Sequence, residues 1–323
     1  MRILHIVGHV REVGNGFVNA AVDLACLQAK QGHEVGVISS GGEYEELLKS
    51  CEVQHFLRIE KGGKLLRHVN ALRVYWSIFD EFQPNIIHAH IPREVILACI
   101  LKFRFHYAIV STVHNEFQYR AIFTGLADRV IAVSQAVAQS MMRRGIPEQK
   151  VRVVVNGTLG SPRKRPIQSY PPKSLHQPAI LTVAGMQQRK GIADLIVAFK
   201  MITAEFPQAH LYLVGDGPDR ALFEAQVQQE GIASRVNFEG FQAEPQRYLL
   251  SAQIFVLASH KDPSPLVIPE AREAGCAIVA TQVDGIPEAL DRGEAGVLVP
   301  PKDSAALAEA LRQLLKDPER LNQ

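Results

Sequence analysis

Short runs rich in Val and Ile alternate along this chain with longer stretches whose apolar residues recur every three or four positions. In the first half, RILHIV (2–7), EVGVIS (34–39), NIIHAH (85–90), AIVSTV (108–113), RVIAVS (129–134) and VRVVV (151–155) predict strands. These runs lack the period-two alternation of a half-exposed sheet, so both of their faces are expected to be buried. The stretches Asn15–Lys30 and Lys64–Phe82 have the spacing of amphipathic helices. Strands alternating with helices imply βαβ units and a parallel sheet.

The pattern breaks over residues 158–178, TLGSPRKRPIQSYPPKSLHQP, where five prolines and no apolar period predict an exposed linker. It then restarts with AILTVA, HLYLVG, RVNFEG, QIFVLA, AIVAT and GVLVP. Two doubly wound α/β domains are therefore expected, residues 1–160 and 179–323, joined through 161–178. A length of 323 residues suits two cores of ordinary size. In such sheets ligands bind beyond the carboxyl ends of the strands, so two of them facing each other would form a cleft.

Composition narrows the function classes. The longest apolar run, Val95–Leu101, is far short of the ~20 residues that span a membrane. The start, MRILHIVGHV, reads as a buried first strand rather than a signal peptide. Cys26, Cys51, Cys99 and Cys276 are scattered without metal-site spacing, as expected of reduced thiols in a cytoplasmic protein. The net charge of +2 divides unevenly. Residues 1–160 carry 18 basic and 14 acidic groups (+4), 161–178 carry four and none (+4), and 179–323 carry 13 and 19 (−6). No basic-aromatic platform points to nucleic acid.

Several strand-end loops carry candidate chemistry. Gly14, Asn15 and Gly16 open the first helix, but seven residues beyond the strand and with no acid after the second strand, which argues against a dinucleotide fingerprint. A glycine-rich loop there still offers free N–H groups to a polar ligand. Arg189, Lys190 and Gly191 sit where a strand becomes a helix, a setting that suits a diphosphate. Gly215 and Gly240 mark two further strand ends. In HKDPSPLVIPEAREAG (260–275), Asp262 and Glu270 flank three prolines just after an apolar run. Either acid alone could simply suit a helix dipole. Similarly, His114 alone would read as a hydrogen-bonded strand-end histidine.

Taken in order, GNGFVNAAVDLACLQAKQGHEV, IIHAH, STVHNEF, DRVIAVSQ, VVNGT, RKGIADLI, LVGDGP, VNFEGF, HKDPSPLVIPEA and ATQVDGIPEALDRGEAGVLVPPKD resemble family-4 glycosyltransferases over nearly the whole chain. The resemblance implies a GT-B fold: two Rossmann-like domains facing across a cleft, the N-terminal one for the acceptor and the C-terminal one for the donor. It implies hexosyl-type transfer from a UDP-, GDP- or ADP-sugar to a sugar, polysaccharide or lipid-linked acceptor hydroxyl, with retention and without a metal or other cofactor. The absence of a DxD triplet agrees. On the resemblance, Glu270 accepts hydrogen bonds from the donor ribose and Asp262 lies near the donor sugar. Arg189, Lys190, Gly191, Gly215 and Gly240 belong to the donor side, His114 meets the transferred sugar, and Gly14, Asn15 and Gly16 line the acceptor loop. Peripheral contact with the inner membrane face follows from the basic first half, against an ordinary soluble surface.

Four departures stand out. Met186 occupies the place of a common Arg, with Arg189 as a stand-in, and the loop is one residue shorter. Asp262 replaces the more usual Glu. Pro269 must lie in the first turn of its helix or kink it. The chain also lacks the terminal helices that in the family cross back onto the first domain. A weakened nucleotide-sugar-binding or regulatory homologue, or a nucleotide-sugar epimerase on the same fold, are the rival readings.

Overall fold

The computed structural model describes residues 1–58 and 64–317. The chain divides into two compact units: residues 1–156 with 160–163, and 157–159 with 164–323. The residues beyond 317, on which the expectation about missing crossing helices falls, lie outside the described residues.

The first unit is built on a seven-stranded sheet. Its strands are β1 (Arg2–Ile6), β2 (Glu34–Ser39), β3 (Gln54–Leu57), β4 (Ile86–Ala89), β5 (Ala108–Val113), β6 (Arg129–Ala132) and β7 (Val151–Val153). They lie in the order β3-β2-β1-β4-β5-β6-β7, and every pairing is parallel. The order reverses between β1 and β4, which makes that edge the topological switch point. Successive residues serve opposite faces: Val35 and Val37 pack with Val18 and Val22 of the helix Gly16–Lys30. Leu4, Ile6 and Ile38 pack instead with Phe79 and Val95 on the other side. Coverage on both faces explains the unbroken apolar runs. β3 was not expected, because its four residues QHFL begin with two polar side chains and lie on the sheet edge, where little burial is required.

The second unit repeats the plan with six strands. These are β8 (Ala179–Val183), β9 (His210–Val214), β10 (Val236–Gly240), β11 (Ile254–Leu257), β12 (Ala277–Thr281) and β13 (Val297–Val299). The order β10-β9-β8-β11-β12-β13 is again all parallel and puts the switch point between β8 and β11. Ile180, Leu213 and Val256 pack under the helices Ile192–Ile202 and Ser304–Lys316. Leu181, Phe255 and Leu257 face the opposite layer, with Ile268 of the helix Val267–Glu273.

The proline-rich segment is less exposed than its composition suggests. Ser161, Ile167 and Tyr170 are buried, and a 3-10 turn covers Ile167–Ser169. Three of its four cations, Arg163, Lys164 and Arg165, form ion pairs. Arg163 donates twice to Asp23 in the first unit, at 2.9 and 2.7 Å. Arg165 reaches Glu244 at 2.8 Å in the second. Isolated cations in a linker would have stayed solvated; these find carboxylates and anchor the segment.

Candidate functional site

In the second unit, three loops converge at the switch point. The loop after β8 carries Arg189 and Lys190 into the helix Ile192–Ile202. Gly191 makes this possible: its φ is +65°, and a Cβ there would stand 1.8 Å from the carbonyl oxygen of Ala258 at the end of β11. No L side chain fits that approach. The close contact brings Lys190 beside the β11 loop, where its Nζ lies 2.5 Å from Asp262 Oδ2. Asp262 is 6% exposed, and Ser259 Oγ adds a bond to the same oxygen at 3.3 Å. From the β12 loop, Asp284 accepts the Asp262 N–H at 2.8 Å. Burial pushes the Asp284 carboxyl up from its ordinary value.

Gly215 solves the same problem after β9, with a φ of +132° and a prospective Cβ only 2.0 Å from the Ala184 carbonyl oxygen. Gly240 bonds back through its carbonyl to the Gly215 N–H at 2.8 Å. Both glycines thus serve backbone packing around the strand ends.

Glu270 lies in the first turn of the helix Val267–Glu273, and its carboxylate pairs with Lys164. Both side chains are mostly buried. Pro269 falls in that same first turn, where its missing N–H costs nothing. Met186 is fully buried in the core. Its backbone is tied to Asp216 and Asp219. Arg189 is exposed and donates to Gln187 Oε1, at 3.0 Å, and to the Lys261 carbonyl oxygen, at 3.5 Å.

In the first unit, the strand ends around the β1–β4 switch point carry histidines. His5 of β1 and His88 of β4 stand opposite each other in register. His90 follows β4, and His114 follows β5. Their rings stack in sequence, with centroids 4.4 Å apart for His88 and His90 and 5.3 Å for His90 and His114. His90 Nδ1 is 3.0 Å from His114 Nε2, and His90 Nε2 is 3.0 Å from His5 Nδ1. His5 Nε2 meets Gln28 Oε1 at 2.7 Å. His88 Nε2 bonds Thr112 Oγ1 at 2.7 Å.

Burial pushes His5 and His114 down to about 4, and His88 and His90 well below their ordinary value. All four are neutral at pH 7. Nitrogens of His5, His88 and His90 lie within 4.8 Å of one another, a grouping that could hold a metal ion. In this arrangement, however, both nitrogens of His5 and both of His90 are engaged in the hydrogen bonds just described.

Gly14, Asn15 and Gly16 do open the helix Gly16–Lys30, with Asn15 at the cap and Gly14 at a φ of +64°. The Asn15 side chain makes no capping bond, so it is not committed to the helix. Phe17 of the same helix lies 5.7 Å from the His114 ring, centroid to centroid. Four participants had gone unnoticed in the sequence. Lys164 was hidden in a linker, His5 and His90 within strand runs, and Asp284 in a motif read only for its order.

Two doubly wound parallel domains, with the candidate residues at their strand ends, define a GT-B architecture. The structure of Anabaena HepE in complex with UDP and glucose superposes on the chain with a TM-score of 0.84 at 20% identity, covering 100% of this chain and 92% of that one. WaaG, a glycosyltransferase involved in lipopolysaccharide biosynthesis, does so with a TM-score of 0.76 at 15% identity. Residues 14–158 match Glycosyltransferase Family 4, and residues 165–323 match Glycosyl transferases group 1. The lipopolysaccharide core biosynthesis glycosyltransferase LpsD of Rhizobium meliloti is 32% identical over 288 residues, 86% of this chain and 76% of LpsD. The chain belongs to glycosyltransferase family 4. N-acetyl-alpha-D-glucosaminyl L-malate synthase of Bacillus anthracis is 34% identical over 140 residues, but that match covers only 36% of the synthase. With LpsE of Rhizobium meliloti the match covers 40% of the relative. Among the described residues no helix is long and apolar enough to cross a membrane.

Proposed function

We propose that the chain transfers a sugar from a nucleotide-sugar donor to an acceptor hydroxyl with retention, and needs no metal to do so. One observation carries the reading. At the switch point of the second sheet, Lys190 and Asp262 meet at 2.5 Å on loops brought together by Gly191. A cation and an acid side by side at a doubly wound switch point match a ligand whose diphosphate adjoins a sugar. Lys190 neutralises the diphosphate, and Arg189 adds long-range attraction from its exposed position. Asp262, released from Lys190 by the incoming phosphate, faces the sugar hydroxyls and the positive character that develops at the anomeric carbon. Glu270 exchanges Lys164 for the ribose hydroxyls, each a donor that a carboxylate can accept. His114, neutral at pH 7, offers a hydrogen bond to the transferred sugar. With a resident cation at the phosphate position, the metal's usual charge-balancing role is filled by the protein.

The donor is a UDP-, GDP- or ADP-sugar. HepE has been solved with UDP-glucose, and LpsD is a lipopolysaccharide core enzyme by name. These two support a UDP-sugar and a polysaccharide or lipid-linked acceptor, with contact at a membrane surface.

The test is a panel of nucleotide sugars, first by thermal shift and then for turnover with EDTA present. A ligand at 100 times its Kd should add about 2.7 kcal/mol of stability. Turnover that requires Mn²⁺ or Mg²⁺ would reject the role given to Lys190. Conversion of the donor with no acceptor present would favour an epimerase.

A further inference from the structure

We propose that Gln28, His5 and His90 act as positioning residues that give His114 a single tautomer, protonated on Nε2, so that its Nδ1 is an obligatory acceptor reserved for a ligand hydroxyl. The argument runs along one chain of hydrogen bonds. Gln28 Oε1 faces His5 Nε2 at 2.7 Å, and an amide oxygen only accepts. The proton of neutral His5 therefore sits on Nε2, which leaves Nδ1 as an acceptor. His90 Nε2, 3.0 Å away, must donate to it. His90 Nδ1 is then the acceptor toward His114 Nε2, also at 3.0 Å. His114 has one proton and has committed it. Its Nδ1 has no hydrogen-bond partner among the described residues and carries a lone pair.

Two properties make this array a device for orientation. Neutral imidazole has one donor and one acceptor, so three in series transmit a direction only while none is charged. Burial keeps all three neutral. The inner end is an amide, which neither takes up nor releases a proton at these pH values. A proton accepted at His114 could not leave at Gln28, so the array sets polarity and does not conduct. What it selects is a ligand group that donates, such as a saccharide hydroxyl. An ether, fluoride or carbonyl oxygen at that place would face a lone pair.

Nitrogen NMR of the full chain labelled at histidine, without ligand, tests the array directly. At pH 7 the His114 resonances, assigned by their loss in His114→Asn, should report an unprotonated Nδ1 and a protonated Nε2. Gln28→Leu removes the terminal acceptor at a half-exposed helix position, so the fold is retained. His90→Phe keeps the ring stack but removes both bonds. In each variant His114 should become a mixture of tautomers. Protonated Nδ1 in the wild type, or an unchanged tautomer in both variants, would overturn the proposal. So would one equivalent of Zn²⁺ that raises the melting temperature and shifts His5, His88 and His90 together, since a metal would then own these nitrogens. A second arm rests on the sugar-transfer reading above: Gln28→Leu should weaken UDP-glucose binding up to about tenfold while leaving UDP unaffected, the scale of one neutral hydrogen bond. If the wild type binds neither ligand, the transfer reading fails, while the NMR result stands by itself.

Discussion

The two switch points have the same topology and opposite electrostatics. In the first unit the strand ends present stacked, neutral imidazoles, with His88 and His90 buried and His114 half-buried. In the second they present carboxylates already matched by lysines, Asp262 with Lys190 and Glu270 with Lys164. The difference follows from what each side chain can do when water is removed. A histidine escapes the cost of desolvation by giving up its proton, which is why burial pushes these imidazoles far below their ordinary value. Asp and Lys near neutral pH keep their charges if they pair, because a close opposite charge offsets the burial. The first switch point therefore offers neutral hydrogen-bonding groups. The second holds charges that a charged ligand can exchange.

This contrast can be broken most sharply at Asp262. Asp262→Asn preserves shape but removes the charge proposed to face the sugar, so kcat should fall on the order of a hundredfold or more while UDP binding, no longer competing with the Asp262 carboxylate for Lys190, does not weaken. A loss of UDP binding with unchanged kcat would exchange the roles of the two acids.

Glu270→Gln comes next. It should weaken UDP and UDP-sugar binding together by roughly ten- to a hundredfold, the ~1.5–3 kcal/mol of hydrogen bonds to a charged group. Calorimetric titration of both ligands checks it. A drop in melting temperature alone, without a change in Kd, would return Glu270 to a helix-dipole role.

Acidification sharpens the comparison from the other side. The four histidines have folded pKa values below the ordinary 6.5, so the unfolded chain binds protons first as the pH falls. Their contribution to stability is complete above about pH 6.5 and is lost as pH falls toward 4. The melting temperature should drop between pH 7 and 4.5, and less so in a variant with His88→Phe and His90→Phe. An equal drop in that variant would assign the acid sensitivity to other groups.

The smallest effect is expected at Arg189. It is exposed and, among the described residues, pairs with no carboxylate, so Arg189→Ala should cost about 0.2–1 kcal/mol in donor binding, and less at high salt. A loss matching that of Lys190→Ala would show that Arg189 does replace the arginine whose place Met186 takes.

Much of the fold was legible because burial on both faces forces a recognisable run of apolar residues. Twelve of the thirteen strands coincide with Val- and Ile-rich stretches. The miss, β3, has only one neighbour and few buried side chains, so nothing compels its sequence to look like a strand. The anchors of the linker were not legible for a related reason. Proline content reports backbone stiffness, but Ile167 and Tyr170 are packed away and Arg163 and Arg165 are ion-paired, which depends on groups far along the chain.

The sequence alone determined the two α/β domains, their parallel sheets and the loops that carry the chemistry, because periodicity and strand-end residue types are local properties. It also supplied Asp262, Glu270, Lys190 and His114 as individual candidates. Only the tertiary structure decided their partners. That Gly191 must approach Ala258, that Lys164 covers Glu270, and that Gln28 orders three histidines from separate strands are relations between residues 23 to 106 positions apart. Hydrogen bonds and ion pairs act over a few ångströms of space, and no spacing along the chain records which distant residues the fold will bring that close.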